Sequence, residues 1–165
     1  MMGPIKAALI FMLPFLLCSL QSVAGEDPSV WNLRDIPSFQ IIVERPTADA
    51  REAGITEEAV RNQVAAHFQT FLPQVALDRK EGPSLYVRIL LHKRQKDDLY
   101  YGLISVHVDR AVIVLSPKGN FPAFSQVWEN TAVFSGKDPL LGTYEILGKL
   151  LSLLIEDFKE ANPSK

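Results

Sequence analysis

Histidine is the residue type in this chain best suited to metal binding or proton transfer, and the chain has three of them. We expect His67 on a helix, and His92 and His107 on two consecutive strands. If Lys96–Asp98 forms the turn between those strands, the two strand histidines are offset by about four residues, or roughly 13 Å. Two imidazoles this far apart cannot bind one ion. The sequence therefore predicts structural or surface histidines, and no metal or other cofactor.

Adjacent acids are the second candidates, since paired carboxylates can carry out acid–base catalysis. They occur at Glu57-Glu58, Asp97-Asp98 and Glu156-Asp157. We expect the first pair at a helix start, the second in a turn and the third on the polar face of a helix. A structural role explains each pair, and neighbouring residues rarely face the same substrate. We therefore predict no catalytic carboxylate.

Motifs for nucleophilic or phosphate chemistry are absent from the sequence. There is no Gly-x-Ser-x-Gly elbow. The one cysteine, Cys18, lies in a predicted leader and would leave with it. The segment Ser135-Gly136-Lys137 lacks the upstream glycine and the Lys-Ser/Thr pair of a phosphate-binding loop. The sequence therefore favours a non-enzymatic protein over an enzyme.

A basic cluster gives the only candidate binding residues, which are Arg88, Lys93, Arg94 and Lys96. They surround one end of a predicted strand. One interpretation is a patch that binds an anionic envelope component such as a phosphorylated glycolipid. The other is a solvated hairpin tip that protects a sheet edge, and we favour it.

The first 25 residues are typical of a secretory signal peptide. Lys6 is their only charge, residues 7–20 are predominantly apolar, and the small residues of 22–25 permit cleavage after Ala24 or Gly25. An uncleaved anchor fits less well, because the run is shorter than the roughly 20 residues that span a membrane and contains Pro14. Lipidation at Cys18 also fits less well, because the bulky Leu17 precedes it. We expect an exported protein, in the periplasm or secreted.

The chain without this segment has no cysteine, so we expect a hydrophobic core rather than disulfides to stabilise it. The full chain has 17 basic and 19 acidic residues, and loss of Lys6 leaves 16 basic residues. A small acidic excess argues against nucleic-acid binding.

Two segments have helical periodicity. Thr56 is a suitable N-cap, and Val60, Val64, Phe68 and Phe71 follow as an apolar stripe that ends before Pro73. The second helix begins at Asp138-Pro139 and ends at Asn162-Pro163. Its apolar face is broader than one sheet requires, which suggests a partner or a self-contact there.

Strand periodicity appears between the helices and before the first one. The predicted strands are residues 39–43, 75–77, 85–91, 100–115 and 124–134, with a bulge or bend at Asp109-Arg110 and a turn at 117–120. This order predicts a single α+β domain over residues 26–165. Its mainly antiparallel sheet of four to five strands would have two amphipathic helices packed on one face.

Four segments carry a resemblance to known proteins, namely residues 55–64, 84–89, 104–108 and 155–163. The chain resembles small exported bacterial proteins of unassigned function. Its element order is also similar to small periplasmic envelope modules, such as the N-terminal domain of TolB and the lipopolysaccharide-assembly lipoprotein. The resemblance implies the same α+β fold but carries no site residues.

These observations lead to one main hypothesis and one alternative. The main hypothesis is a non-enzymatic envelope module that binds or assembles with a protein or an anionic lipid, with a homo-oligomer through the last helix as a further possibility. The alternative is a small-ligand-binding protein or enzyme with a pocket between helices and sheet, using His67 or His107. A tightly filled interior would contradict the alternative.

Overall fold

A computed structural model describes residues 28–163, so the predicted signal peptide lies outside the described residues. The helices are α1 (Pro28–Trp31), α2 (Ala48–Glu52), α3 (Glu57–Phe71) and α4 (Pro139–Ala161). The strands are β1 (Ser38–Val43), β2 (Ala76–Leu77), β3 (Ser84–Arg94), β4 (Leu99–Val114) and β5 (Phe121–Gly136).

The strands form one mixed sheet in the order β2-β1-β3-β4-β5. β1 is parallel to both β2 and β3, whereas β3, β4 and β5 form an antiparallel meander. The segment between β1 and β3 contains α2, α3 and β2, and so makes the crossover that a parallel pair needs. The predicted α+β fold with a mostly antiparallel sheet is confirmed.

Alternation along the strands creates one buried face and one face without a helix. In β3, Leu85, Val87, Ile89 and Leu91 are buried, and the residues between them point to the other face. α3 and α4 contact each other, and α4 also packs on β4 and β5. The helix-covered face therefore contains the core.

The first long helix begins as the sequence predicts, because the Thr56 hydroxyl accepts a hydrogen bond from the Ala59 amide at 3.1 Å. Val60, Val64 and Phe68 are buried, and the Phe68 ring packs edge-on against Phe39. The expected fourth residue of the stripe, Phe71, is 48% exposed. The helix ends there, and Leu72 enters the core in its place.

The broad apolar face of α4 is used within the chain. Asp138 caps the helix by accepting from the Leu141 amide at 3.0 Å, and Pro139 opens its first turn. The buried residues include Leu147, Leu151 and Phe158, and they meet α1, α3, β4 and β5. Most of the surface that suggested a self-contact from sequence is therefore already covered.

The predicted irregularity in β4 is confirmed by a register shift between Val108 and Asp109. Val108 pairs with Trp128 while Asp109 pairs with Gln126, so Val127 is the extra residue of a bulge. The predicted turn is also confirmed, since the Gly119 amide donates to the Ser116 carbonyl at 3.0 Å. β5 begins at Phe121, earlier than the predicted residue 124, which makes the β4–β5 hairpin longer than expected.

Two phenylalanines on α3 provide a matched test of this core. We expect Phe68→Ala to lower the free energy of unfolding by about 3–5 kcal/mol, because it leaves a cavity against Phe39. Phe71→Ala on the same helix should change it by less than about 1 kcal/mol, because that ring is half exposed. Urea unfolding followed by circular dichroism measures both. Equal losses would contradict the assigned helix orientation.

Candidate functional site: an uncovered hairpin arm

The β4–β5 hairpin extends beyond the third strand of the meander. Ser84, the first residue of β3, pairs with Asp109, so from Arg110 onward β4 pairs only with β5 among the described residues. We call residues 110–125 the apolar arm. It contains the end of β4, the turn and the start of β5.

Large apolar side chains of the arm are exposed to solvent. Phe124 is 85% exposed, Leu115 77%, Ile113 62% and Phe121 51%. Lys118 is the only charged residue between positions 111 and 125. Scattered exposed apolar residues are ordinary, but a group of them on one hairpin is a candidate interaction surface.

Both faces of the arm are apolar. Cross-strand partners lie on the same face, so Ala111 shares one face with Phe124 and Val114 shares the other with Phe121. The rest of the sheet, which we call the body, instead buries one face and leaves the other largely polar. Neither face of the arm is covered by a helix in the part of the chain that the structure describes.

The base of the arm is attached to the body. The Arg110 guanidinium donates to the carbonyl oxygens of Asn32 and Arg34, each at 3.1 Å. The carboxamide of Asn162 in turn donates to the Leu33 carbonyl at 2.9 Å, which ties this segment to the end of α4. The direction in which the arm leaves the sheet is therefore fixed by hydrogen bonds to backbone.

A cleft of about 360 Å³ lies beside the base of the arm. Its walls are the segments 35–37, 80–84 and 109–111, together with Phe124. Because β3 begins at Ser84, the cleft occupies the position where a strand neighbouring β4 would continue. The cleft therefore lies beside the edge of β4 that has no strand partner among the described residues.

The uncovered face of the body carries a paired polar cluster instead. Glu44 Oε2 accepts from Arg88 Nε at 2.6 Å and from the Tyr86 hydroxyl at 2.8 Å. The His107 ring stacks on Tyr86 with centroids 4.7 Å apart, and its Nε2 is 3.4 Å from Asp109 Oδ2. The polar groups of these side chains therefore find their partners within the cluster.

This pairing lowers the reactivity of the cluster. The hydrogen bonds from Arg88 and Tyr86 lower the pKa of Glu44, so its carboxylate is a weak base. The same hydrogen bond to Glu44 raises the pKa of Tyr86, so its phenol is not activated. The hydrogen bonds therefore weaken Glu44 as a general base and Tyr86 as a nucleophile.

The four basic residues that the sequence offers as candidates for anion binding do not all converge. Arg88 is held by Glu44 in the middle of β3, about 20 Å from Arg94 along the strand. Lys93 points to the opposite face from Arg94, since they are adjacent in the strand. Lys96 lies in the turn after β3.

Neighbouring carboxylates neutralise three of these four charges. Besides the Arg88 pair, Lys93 Nζ is 2.9 Å from Asp98 Oδ1. Arg94 makes two bonds to Asp97, with Nε–Oδ1 2.8 Å and Nη2–Oδ2 2.6 Å. Within residues 28–163 no salt bridge to Lys96 is present, which leaves it as the free cation of the group.

The three histidines are far apart, as the sequence predicts. His92 pairs with Tyr101, six residues before His107 in β4, which is an offset of about 20 Å rather than 13 Å. His67 lies between the long helices, with Nε2 3.1 Å from Ser152 Oγ, and burial lowers its pKa. No group of three metal-binding side chains occurs between residues 28 and 163.

The space between helices and sheet is filled. Phe39 contacts both Phe68 and Phe158, with ring centroids 5.6 and 6.1 Å apart, and Leu85 and Leu151 are completely buried. The cleft described above lies at the end of the sheet instead. The packing therefore gives no support to a ligand pocket beneath the helices.

The exposed arm is not among the features predicted above from the sequence, although the chain contains a signal for it. Ala111-Val112-Ile113-Val114-Leu115 is a continuous apolar run without the polar alternation of a half-buried strand, and Phe121 to Phe124 is also uncharged. Two such runs on either side of a turn indicate a hairpin that is apolar on both faces.

Comparison with known proteins gives no relative, since no family model, curated protein or solved structure matches the chain. The resemblance to periplasmic envelope modules therefore remains a prediction. Between residues 28 and 163 no helix is both long and apolar enough to cross a membrane.

The Glu44 cluster predicts a specific dependence of stability on pH. Because the pKa of Glu44 is lowered on folding, its stabilising effect is present above the ordinary value of 4.5 and is lost as the pH falls through the folded pKa. We expect Glu44→Gln to be less stable than the natural chain near pH 7. On acidification the variant should lose less stability than the natural chain does.

Urea midpoints at neutral and acidic pH measure this difference. Glu145→Gln, at an exposed position on α4, is the matched control and should retain the acid dependence of the natural chain. If Glu44→Gln and Glu145→Gln lose stability on acidification to the same extent, the role assigned to the Glu44 pair is wrong.

Proposed function

We propose that this chain is an exported, non-enzymatic binding or assembly module, and that it docks a protein or lipid partner through the apolar arm. The observation that carries the proposal is the exposure of Ile113, Leu115, Phe121 and Phe124 on a hairpin with a single charge. The predicted signal peptide supports export.

The size of the surface supports a binding role. If each fully exposed large side chain presents about 150–200 Å², the exposed fractions correspond to roughly 500 Å² of apolar surface on the arm. Summed over both faces of the arm, this area lies within the roughly 300–600 Å² of the largest patch on a monomeric protein, and such patches are often functional. Burial by a partner would contribute roughly 12 kcal/mol before the costs of association.

The polar groups support binding rather than catalysis. Glu44, Tyr86 and Arg88 are paired in ways that suppress acid–base chemistry, and His67 is held between two helices. The basic residues Arg88, Lys93, Arg94 and Lys96 contribute less to the proposal than the arm, because carboxylates neutralise three of them.

Photo-crosslinking in the native cells tests the proposal. A benzophenone amino acid would replace Phe121 in one variant and Phe71 in another, since these rings are 51% and 48% exposed. We expect adducts at position 121, to a protein or to a lipid, and much weaker labelling at position 71. Mass spectrometry identifies the adducts. Equal labelling at both positions, or none at 121, would contradict a docking role for the arm.

A further inference from the structure

We infer that the occupant of the arm is a second copy of this chain, which pairs through residues 110–114 of β4 in an antiparallel, two-fold arrangement. The inference rests on the proposed function, because it identifies the partner of the same arm. Two sheets would then be joined edge to edge by a four-stranded ribbon in the order β5-β4-β4-β5.

The first argument is the unprotected edge of β4. From Arg110 onward its backbone groups on the β3 side have no strand partner among the described residues, and Ala111 to Leu115 contains no charge, proline or glycine. Three of these five residues are β-branched, which favours strand pairing. Proteins normally protect such edges with charges, prolines or bulges.

The other strands at the margins of the sheet are better protected. β5 carries Pro122, the bulge at Val127 and the charge of Glu129. On the opposite side β2 is only two residues long. The β4 edge of the arm is therefore the place where a further strand adds most easily.

The second argument is self-complementarity about Ile113. In an antiparallel pair centred on this residue, Ile113 faces its own counterpart, Ala111 faces Leu115, and Val112 faces Val114. Every direct pair is then apolar. The edge is therefore self-complementary, as an isologous interface requires.

The third argument is space. The cleft of about 360 Å³ beside Arg110 and Ala111 lies in line with β3, so the start of the β4 edge is open to solvent. In the paired arrangement Ile113 and Leu115, which are 62% and 77% exposed in one chain, lie beside β4 of the other copy.

A lipid bilayer is a less suitable occupant than a second copy. Hydrocarbon would cover the apolar side chains but leave the backbone groups that point away from β5 without hydrogen-bond partners, at a cost of several kcal/mol for each group. A strand from a second copy provides hydrogen-bond partners for those groups.

Sedimentation of the purified chain, produced from its complete sequence, tests the inference. The natural chain should be a dimer, and Ile113→Lys should raise its dissociation constant by about 100-fold or more, because two lysines would meet at the two-fold axis. Val133→Lys is the control, since Val133 is 80% exposed on β5 but outside the arm, and it should remain a dimer. Circular dichroism verifies that both variants fold.

Disulfide formation tests the register. In a Cys18→Ser background Ile113→Cys should crosslink to itself, because directly opposed strand residues have Cα atoms about 4.5–5.5 Å apart, within disulfide range. A mixture of Ala111→Cys and Leu115→Cys chains should give the mixed dimer, whereas Val133→Cys should not crosslink.

A natural chain that sediments as a monomer would overturn the inference, as would an Ile113→Lys dimer of unchanged affinity. If the chain is monomeric but Phe121 crosslinks to another protein or to a lipid in cells, only the inference fails. If position 121 also gives no adduct, the proposed function fails with it.

Discussion

The antiparallel pairing of β4 with β5 is the constraint that determines the shape of this protein. The two strands pair from Tyr100 with Gly136 to Val114 with Phe121, but their neighbour β3 begins only opposite Asp109. One continuous hairpin therefore belongs to the core at one end and to the surface at the other. The register shift between Val108 and Asp109 lies at the boundary between these two parts.

The two parts differ in whether their apolar side chains are covered and their polar side chains are paired. In the body, α3 and α4 cover the apolar face of the sheet, and the polar cluster around Glu44 is internally paired on the other face. The arm has neither arrangement, since its large apolar side chains are exposed and its β4 edge lacks a strand among the described residues. Because exposed apolar surface and an open edge both favour association, function is expected in the arm rather than in the body.

Much of the body could be predicted from the sequence because local signals determine it, including the Thr56 and Asp138 caps, the irregularity at Asp109 and the turn near Gly119. The extent of the arm beyond β3 could not, because periodicity shows which face a residue occupies but not how far the neighbouring strand extends. Similarly, proximity in sequence suggested a basic patch. Strand alternation separates Lys93 from Arg94, and Asp97 and Asp98 neutralise both of them.

Amide hydrogen exchange across a range of protein concentrations tests the central claim, that the arm is uncovered in one chain and closed by a second. Among residues 110–114, the amides that point away from β5 should exchange fast in dilute protein and slowly in concentrated protein, while residues 104–108, which pair on both sides, should be protected throughout. Equal and concentration-independent protection of both segments would contradict the account, because it would mean that the arm is already covered by its own chain.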